Sequence, residues 1–312
     1  MQKSLIFILF LPVLLVAQPQ ENNPYSRFGL GNPSSTTFTQ QTGMGGLTAA
    51  YTDAYQLNPE NPASLAFLRS TAFETGLFAQ RSKLRSDASD LTDWRGNLTH
   101  LALGFPLKSP INEVLDKVKS PWSYGMGFSL TPYTTLGYTT EQTGTEPGIG
   151  SYKTAFSGSG GLYKFKWGLA AKHKNLSFGA NLGYLFGKLN YESYTDVTSD
   201  SLPGYLTDYS DAQNVHGFTY NVGAQYVHVL KKNKETGVPT QTLTFGFFGN
   251  TVQNVHASGE ELVLRGRQRL SNGTINNADT LLNDNFSGKK VKLPAEMAFG
   301  VQTAALASRA TT

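Results

Sequence analysis

Through most of the chain after Thr71, apolar residues recur at every second position. Between Trp122 and Tyr133, Tyr124, Met126, Phe128 and Leu130 share one face, with Ser123, Gly125, Gly127, Ser129 and Thr131 opposite. Phe178, Ala180, Leu182, Tyr184 and Phe186 alternate in the same way with Gly179, Asn181, Gly183 and Gly187. Phe218, Tyr220, Val222, Ala224 and Tyr226 oppose Thr219, Asn221, Gly223 and Gln225. Shorter versions run through Leu101–Leu107, Leu243–Phe247 and Leu293–Val301. Successive side chains of an extended chain point to opposite faces, so this period predicts strands.

A soluble sandwich also has one apolar face per strand, and three features favour a membrane barrel instead. The segments run to about ten residues, the length a tilted strand needs to cross a bilayer. Their second face is small and uncharged, as a lumen would be. Tyr and Trp gather near segment ends (Trp94, Trp122, Tyr133, Tyr138, Tyr191, Tyr194, Tyr205), where interfacial girdles sit. The expected fold class is all-β: a transmembrane antiparallel β-barrel.

Connections follow from the same pattern. Polar stretches at 85–95, 137–150, 190–215 and 257–290 read as outer loops, and 108–121, about 160–175 and 231–240 as inner connections. Within the first inner connection, Ile111, Val114, Leu115 and Val118 fall on one face at helical spacing between Pro110 and Pro121. Gly161–His173 fits either period: Leu162, Phe165 and Leu169 a helix, Tyr163, Phe165, Trp167 and Leu169 a strand.

The N-terminal part differs. Lys3 followed by the apolar run Leu5–Val16 and the small Ala17 marks residues 1–17 as a secretory signal peptide, too short for a membrane helix. Residues 18–69 are rich in Asn-Pro steps and Gly, the chemistry of turns. Phe28, Leu30, Met44, Leu47, Leu57, Leu65 and Phe67 make this stretch too apolar for a linker. A compact insert packed against something is expected, with the barrel occupying 70–312.

Composition narrows the chemistry. Only 15% of the 312 residues are charged, against roughly 25% in ordinary soluble domains. The absence of cysteine removes disulfides, thiolate nucleophiles and Cys-based zinc sites. A formal net charge of +4 with no basic block gives no reason to expect nucleic-acid binding. The histidines His100, His173, His216, His228 and His256 form no ligand-spaced pair, and Gly158-Ser159-Gly160-Gly161 matches neither a nucleophile elbow nor a phosphate loop. Asp87, Asp90 and Asp93 lack the spacing of a calcium loop. No enzyme, no cofactor and no metal are expected.

The order of these features resembles the FadL-type outer-membrane transporters of hydrophobic compounds. The residues that carry it are Asn23-Pro24-Tyr25-Ser26-Arg27-Phe28-Gly29-Leu30-Gly31, Asn61-Pro62-Ala63, Leu176–Gly187 and Leu293–Gly300. The resemblance implies a barrel plugged by an N-terminal hatch (residues 18–69). It also implies passive uptake of hydrophobic compounds such as long-chain fatty acids across the bacterial outer membrane. By the same analogy Asn61, Pro62 and Ala63 are the gating residues. Gly125, Gly127 and Pro132 are candidates for a kink in the third strand, because Pro cannot donate to a ladder and Gly weakens one. Expected partners are hydrophobic small molecules or lipids, outer-membrane lipid, the barrel-assembly machinery and exported proteins. The alternative function is a secretion-associated shuttle or scaffold barrel of the same superfamily.

One departure stands out. Seven or eight strands are counted by Val301, about half the number the resemblance implies, and the chain then ends without a terminal aromatic residue. A barrel that is C-terminally truncated or frameshifted is therefore expected. The alternative is a complete eight-strand barrel, too narrow for both a hatch and a wide passage.

Overall fold

The structure, a computed structural model, describes residues 23–85, 90–108, 120–147, 150–198, 205–233, 239–269, 275–276 and 278–305. The signal peptide expected over 1–17, the helix expected over Ile111–Val118, and Asp87 lie outside the described residues.

After a two-residue strand β1 (Asn32–Pro33) come β2 (Ala72–Arg85), β3 (Asp90–Pro106), β4 (Trp122–Glu146) and β5 (Gly150–His173). These lead into β6 (Leu176–Thr198), β7 (Leu206–Lys232), β8 (Pro239–Asn250) and β9 (Gln253–Gly266). A small two-stranded ribbon, β10 (Gln268–Arg269) with β11 (Ile275–Asn276), precedes β12 (Asp279–Leu293) and β13 (Glu296–Ala305). All pairings are antiparallel, and chain order is followed from β2 to β7.

At the far side, β7 pairs with β9 along its first half and with β8 along its second. β12 pairs with β9, and β13 with β8. So β8–β9 and β12–β13 are two long strands, each interrupted at one level, at Thr251–Val252 and at Pro294–Ala295. Pro294 has no N–H to give a ladder, which accounts for the second break. The result is an eight-strand meander curled into a half-barrel, with β2 and the β12–β13 strand at its edges among the described residues.

The burial pattern is inverted relative to a soluble protein. Tyr124, Phe178, Leu182, Phe218, Tyr220, Phe245, Met297 and Phe299 are exposed on the outer face, while Ser129, Thr131, Asn181, Thr219 and Gln225 are buried on the inner one. A sandwich would bury the aromatic face. Lipid is the solvent that this outer face fits.

The strands are much longer than the apolar segments. β4 to β7 have 25, 24, 23 and 27 residues, each roughly 80 Å of chain at about 3.3 Å per residue. An apolar band about 25 Å tall uses only part of that length. This corrects the outer loops read at 137–150, 190–215 and 257–290, which are largely strand. The reason is physical: beyond the bilayer an outward position needs no lipid-compatible side chain, so apolar alternation fades while pairing continues. Thr154 meets Thr195 across strands at 3.2 Å and Lys153 meets Glu141 at 3.0 Å. The ambiguous Gly161–His173 segment is strand throughout, with Phe165, Trp167 and Leu169 exposed on the lipid face. The inner connection read at about 160–175 shrinks to a turn at Lys174–Asn175, with Lys174 left-handed at φ 53°.

Two clusters pack the inside. One joins Phe38, Leu57, Leu65, Ala66 and Leu68 of the N-terminal segment to Ala72, Ala102 and Ala170 of the wall. The other, farther along the strands, gathers Leu136, Tyr138, Leu162, Leu185, Leu189, Val215, Val255 and Leu293.

Candidate functional site

Residues 23–71 lie against the inner face as a hatch with little regular structure: 3₁₀ turns at Pro24–Arg27 and Pro62–Phe67, a five-residue helix Thr39–Gly43, and β1. Its centre is the Asn61-Pro62-Ala63 turn. Asn61 is fully buried and caps the second 3₁₀ turn, its side-chain oxygen accepting from the Ala63 amide at 3.1 Å. Pro62 takes the first helical position, where a missing N–H costs nothing. The other end of Asn61 donates to the Ala49 carbonyl at 2.6 Å and to the Phe247 carbonyl of β8 at 3.3 Å. The predicted gating turn is thus tied to the hatch and to the wall at once.

Neighbouring polar side chains keep this turn closed on itself. Asn58 donates to the Thr48 and Tyr51 carbonyls, Ser64 donates to the Asn58 carbonyl at 3.0 Å, and Gln41 donates to the Leu57 carbonyl at 2.8 Å. Buried carbonyls left unpaired would each cost about 1–3 kcal/mol, so these contacts make a loop-rich insert tolerable inside a sheet.

The wall supplies the remaining donors. Asn181 of β6 donates to the Pro59 carbonyl at 3.0 Å and Asn221 of β7 to the Glu60 carbonyl at 2.8 Å. Gln225 of β7 donates to the Ala49 and Tyr51 carbonyls at 3.0 and 3.2 Å. Lys166 of β5 pairs with Glu60 at 2.6 Å, the two side chains only 8% and 12% exposed. Sequence reasoning placed Asn181, Asn221 and Gln225 on the small inner face without assigning them a role. The available signal was amide side chains, which carry donors, set among glycines on one face.

Glycine makes the close approach possible. A methyl group at Gly125 would overlap the Leu65 carbonyl, at Gly179 the Pro62–Ala63 peptide, at Gly223 the Asn61 side chain, and at Gly246 the Ala49 carbonyl. The small face read as a lumen is in this half a docking surface for hatch backbone. Gly125 and Gly127 themselves lie in an unbroken ladder between β3 and β5. The register shift in β4 falls between Pro132 and Thr134, just past the last β3 pair, Leu101 with Leu130.

Beyond the docked turn lies a cavity of about 540 Å³ lined by Glu60, Lys164, Lys166, Asn221, Lys292 and Glu296 among others. Its mixture of both charges differs from the apolar layer above it. Lys164 sits over the Tyr133 ring at 4.2 Å. Of the histidines, His100 is buried in a stack with Phe38, ring centres 3.7 Å apart. His216 and His256 face each other across β7 and β9, a neighbourhood that linear spacing does not reveal. Among the described residues no group of three or more His, Asp or Glu is arranged to hold a metal.

A family model described as BamG matches residues 1–306. The chain belongs to the BamG family. No curated protein and no solved structure matches it. The BamG name relates to the barrel-assembly machinery, and with the inside-out sheet it identifies an outer-membrane β-barrel protein. In this BamG-family barrel the best-fastened residues are Glu60, Asn61, Lys166, Asn181, Asn221 and Gln225.

Proposed function

We propose that this protein is a non-enzymatic scaffold barrel of the outer-membrane barrel-assembly machinery, with a hatch that keeps its interior sealed. The observation that carries the reading is the fastening of the hatch. Wall strands β5 to β8 all bond it through buried or part-buried polar atoms, and four glycines mould the wall to its backbone. A plug held this way suits a rigid platform better than a passage that opens often. The family name, which relates to the barrel-assembly machinery, supports that choice of partner.

Purification of the tagged protein from outer membranes tests this. The assembly machinery is expected to co-purify, and depletion is expected to reduce the folded, heat-modifiable form of other barrels. Undiminished folding of other barrels after depletion would overturn the reading.

A second reading is a FadL-type passage for hydrophobic compounds, with outer-membrane lipid or long-chain fatty acids as ligands. It is favoured by the inward apolar layer of Leu136, Leu162, Leu185, Leu189 and Val215 next to the 540 Å³ cavity. Uptake of labelled fatty acid by vesicles with and without the protein discriminates: equal rates count against passage.

A further inference from the structure

The ladder between β3 and β4 covers only part of either strand. Six register pairs run from Pro106–Gly125 to Leu101–Leu130 and then stop. β3 continues outward to Asp90 paired only with β2, and β4 continues to Glu146 paired along its whole length with β5. The two strands therefore part above Leu130, and the wall has a seam there.

The hatch lies in the seam by main-chain contact, joined by the Ser26 hydroxyl, which bonds the Gly137 amide and carbonyl at 3.2 Å. Asn32 and Pro33 stand opposite Thr135 and Thr134 in antiparallel register. The Ser34 amide donates to the Tyr133 carbonyl at 3.0 Å and the Asn23 amide to the Gly137 carbonyl at 2.8 Å. Gly31, at φ 96°, packs so closely that an added Cβ would lie 2.6 Å from the Thr135 carbonyl oxygen. Yet the segment buries little of its own apolar surface, with Tyr25 81% and Phe28 72% exposed. Pro33 stands between the paired Asn32 and Ser34, at the position whose N–H would face away from β4, so its missing donor costs this contact nothing. Beyond Gly137 the same edge of β4 runs on through exposed Thr139, Glu141, Gln142, Thr143 and Thr145, with no ladder partner on that side among the described residues.

We infer that the β3–β4 seam is a strand-accepting slot, held in cis by Asn23–Ser34 and open to an extended segment of a partner outer-membrane protein that displaces them. An unpaired edge recognises backbone, and added main-chain bonds give affinity irrespective of most side chains. The open part lies past the lipid-facing aromatics of β4, where water replaces hydrocarbon and an incomplete ladder is tolerated. A partner strand fits better than a second copy, because two copies meeting edge to edge would each have to release their own hatch segment. The identity of the partner rests on the assembly-machinery reading, while the slot rests on the ladder alone.

The chain has no cysteine, so a lock can be introduced without background. Full-length protein carrying a photo-crosslinker at Thr139 is mixed with a synthetic peptide of the β13 sequence Glu296–Ala305, or with the same peptide N-methylated at alternate residues. Adduct with the unmodified peptide is expected to exceed the control by about tenfold, and to fall by about tenfold when Asn32→Cys/Thr135→Cys is oxidised, returning on reduction. Pro33→Cys/Thr134→Cys serves as a second lock, and heat-modifiable migration verifies that each variant is folded. Equal adduct with both peptides, or adduct unchanged by either lock, would overturn the slot. Co-purification of the machinery, measured on the same variants, separates the two ideas: its presence without peptide adduct refutes the slot alone, and its absence with lock-sensitive adduct refutes only the scaffold reading.

Discussion

Two stretches of one hatch meet the same wall by different means. Asn58–Phe67 is buried almost completely and held through side chains: Asn61, Asn181, Asn221 and the Glu60–Lys166 pair. Asn23–Ser34 is held along the edge of β4 by backbone pairing together with the buried Ser26 hydroxyl, which bonds the amide and carbonyl of Gly137, and has its aromatics outside. The first kind of contact is specific and costly to break, because desolvated polar groups have no water to fall back on. The second is weakly specific and replaceable, because any extended chain offers the same N–H and C=O groups. The hatch thus has a fixed core and an exchangeable arm.

The largest test of this contrast is the buried ion pair. Lys166→Met leaves Glu60 charged and unpaired, and is expected to cost about 3–5 kcal/mol in denaturant unfolding of the reconstituted barrel. The double variant with Glu60→Gln is expected to recover most of that loss. A single variant as stable as the parent would show that the hatch core is not fastened there. Next come the docking glycines. Gly179→Val or Gly125→Val forces the hatch backbone off the wall and is expected to cost about 1–3 kcal/mol, with faster proteolysis between Ala49 and Leu68. Protease resistance equal to the parent would mean that the close approach is dispensable. Asn61→Ala, which loses a cap and two donors, is expected to cost about 2 kcal/mol in the same unfolding measurement. Smallest of all, Tyr25→Ser and Phe28→Ser are expected to change stability by no more than about 0.5 kcal/mol, since both side chains are already exposed. A large effect from either would erase the distinction between the two stretches.

Much of the architecture is legible in the amino-acid order alone. The lipid face can be read residue by residue, because Tyr124, Phe178, Phe218 and Phe299 alternate with Gly and small polar partners at strict period two. The strand extensions are not legible: Thr139–Glu146 and Asn190–Thr198 carry no lipid-facing signature, so their composition resembles that of loops. At the candidate site, turn chemistry and the FadL-type resemblance single out Asn61, Pro62 and Ala63. The wall residues that fasten the hatch, Phe247 to Asn61, Asn181 to Pro59 and Gln225 to Ala49 and Tyr51, stay hidden, since each lies more than a hundred residues along the chain from the hatch atom it bonds.

What the sequence determined by itself was local and periodic: extended backbone, one face for lipid, one face small, and a turn-rich insert ahead of the strands. Those properties follow from side-chain alternation and from the conformational limits of Pro and Gly, which act over a few residues. The tertiary structure alone decided what the small face is for. Only when eight strands align does a row of glycines become a bed, a set of amides become donors to hatch carbonyls, and an early end to one ladder become a seam.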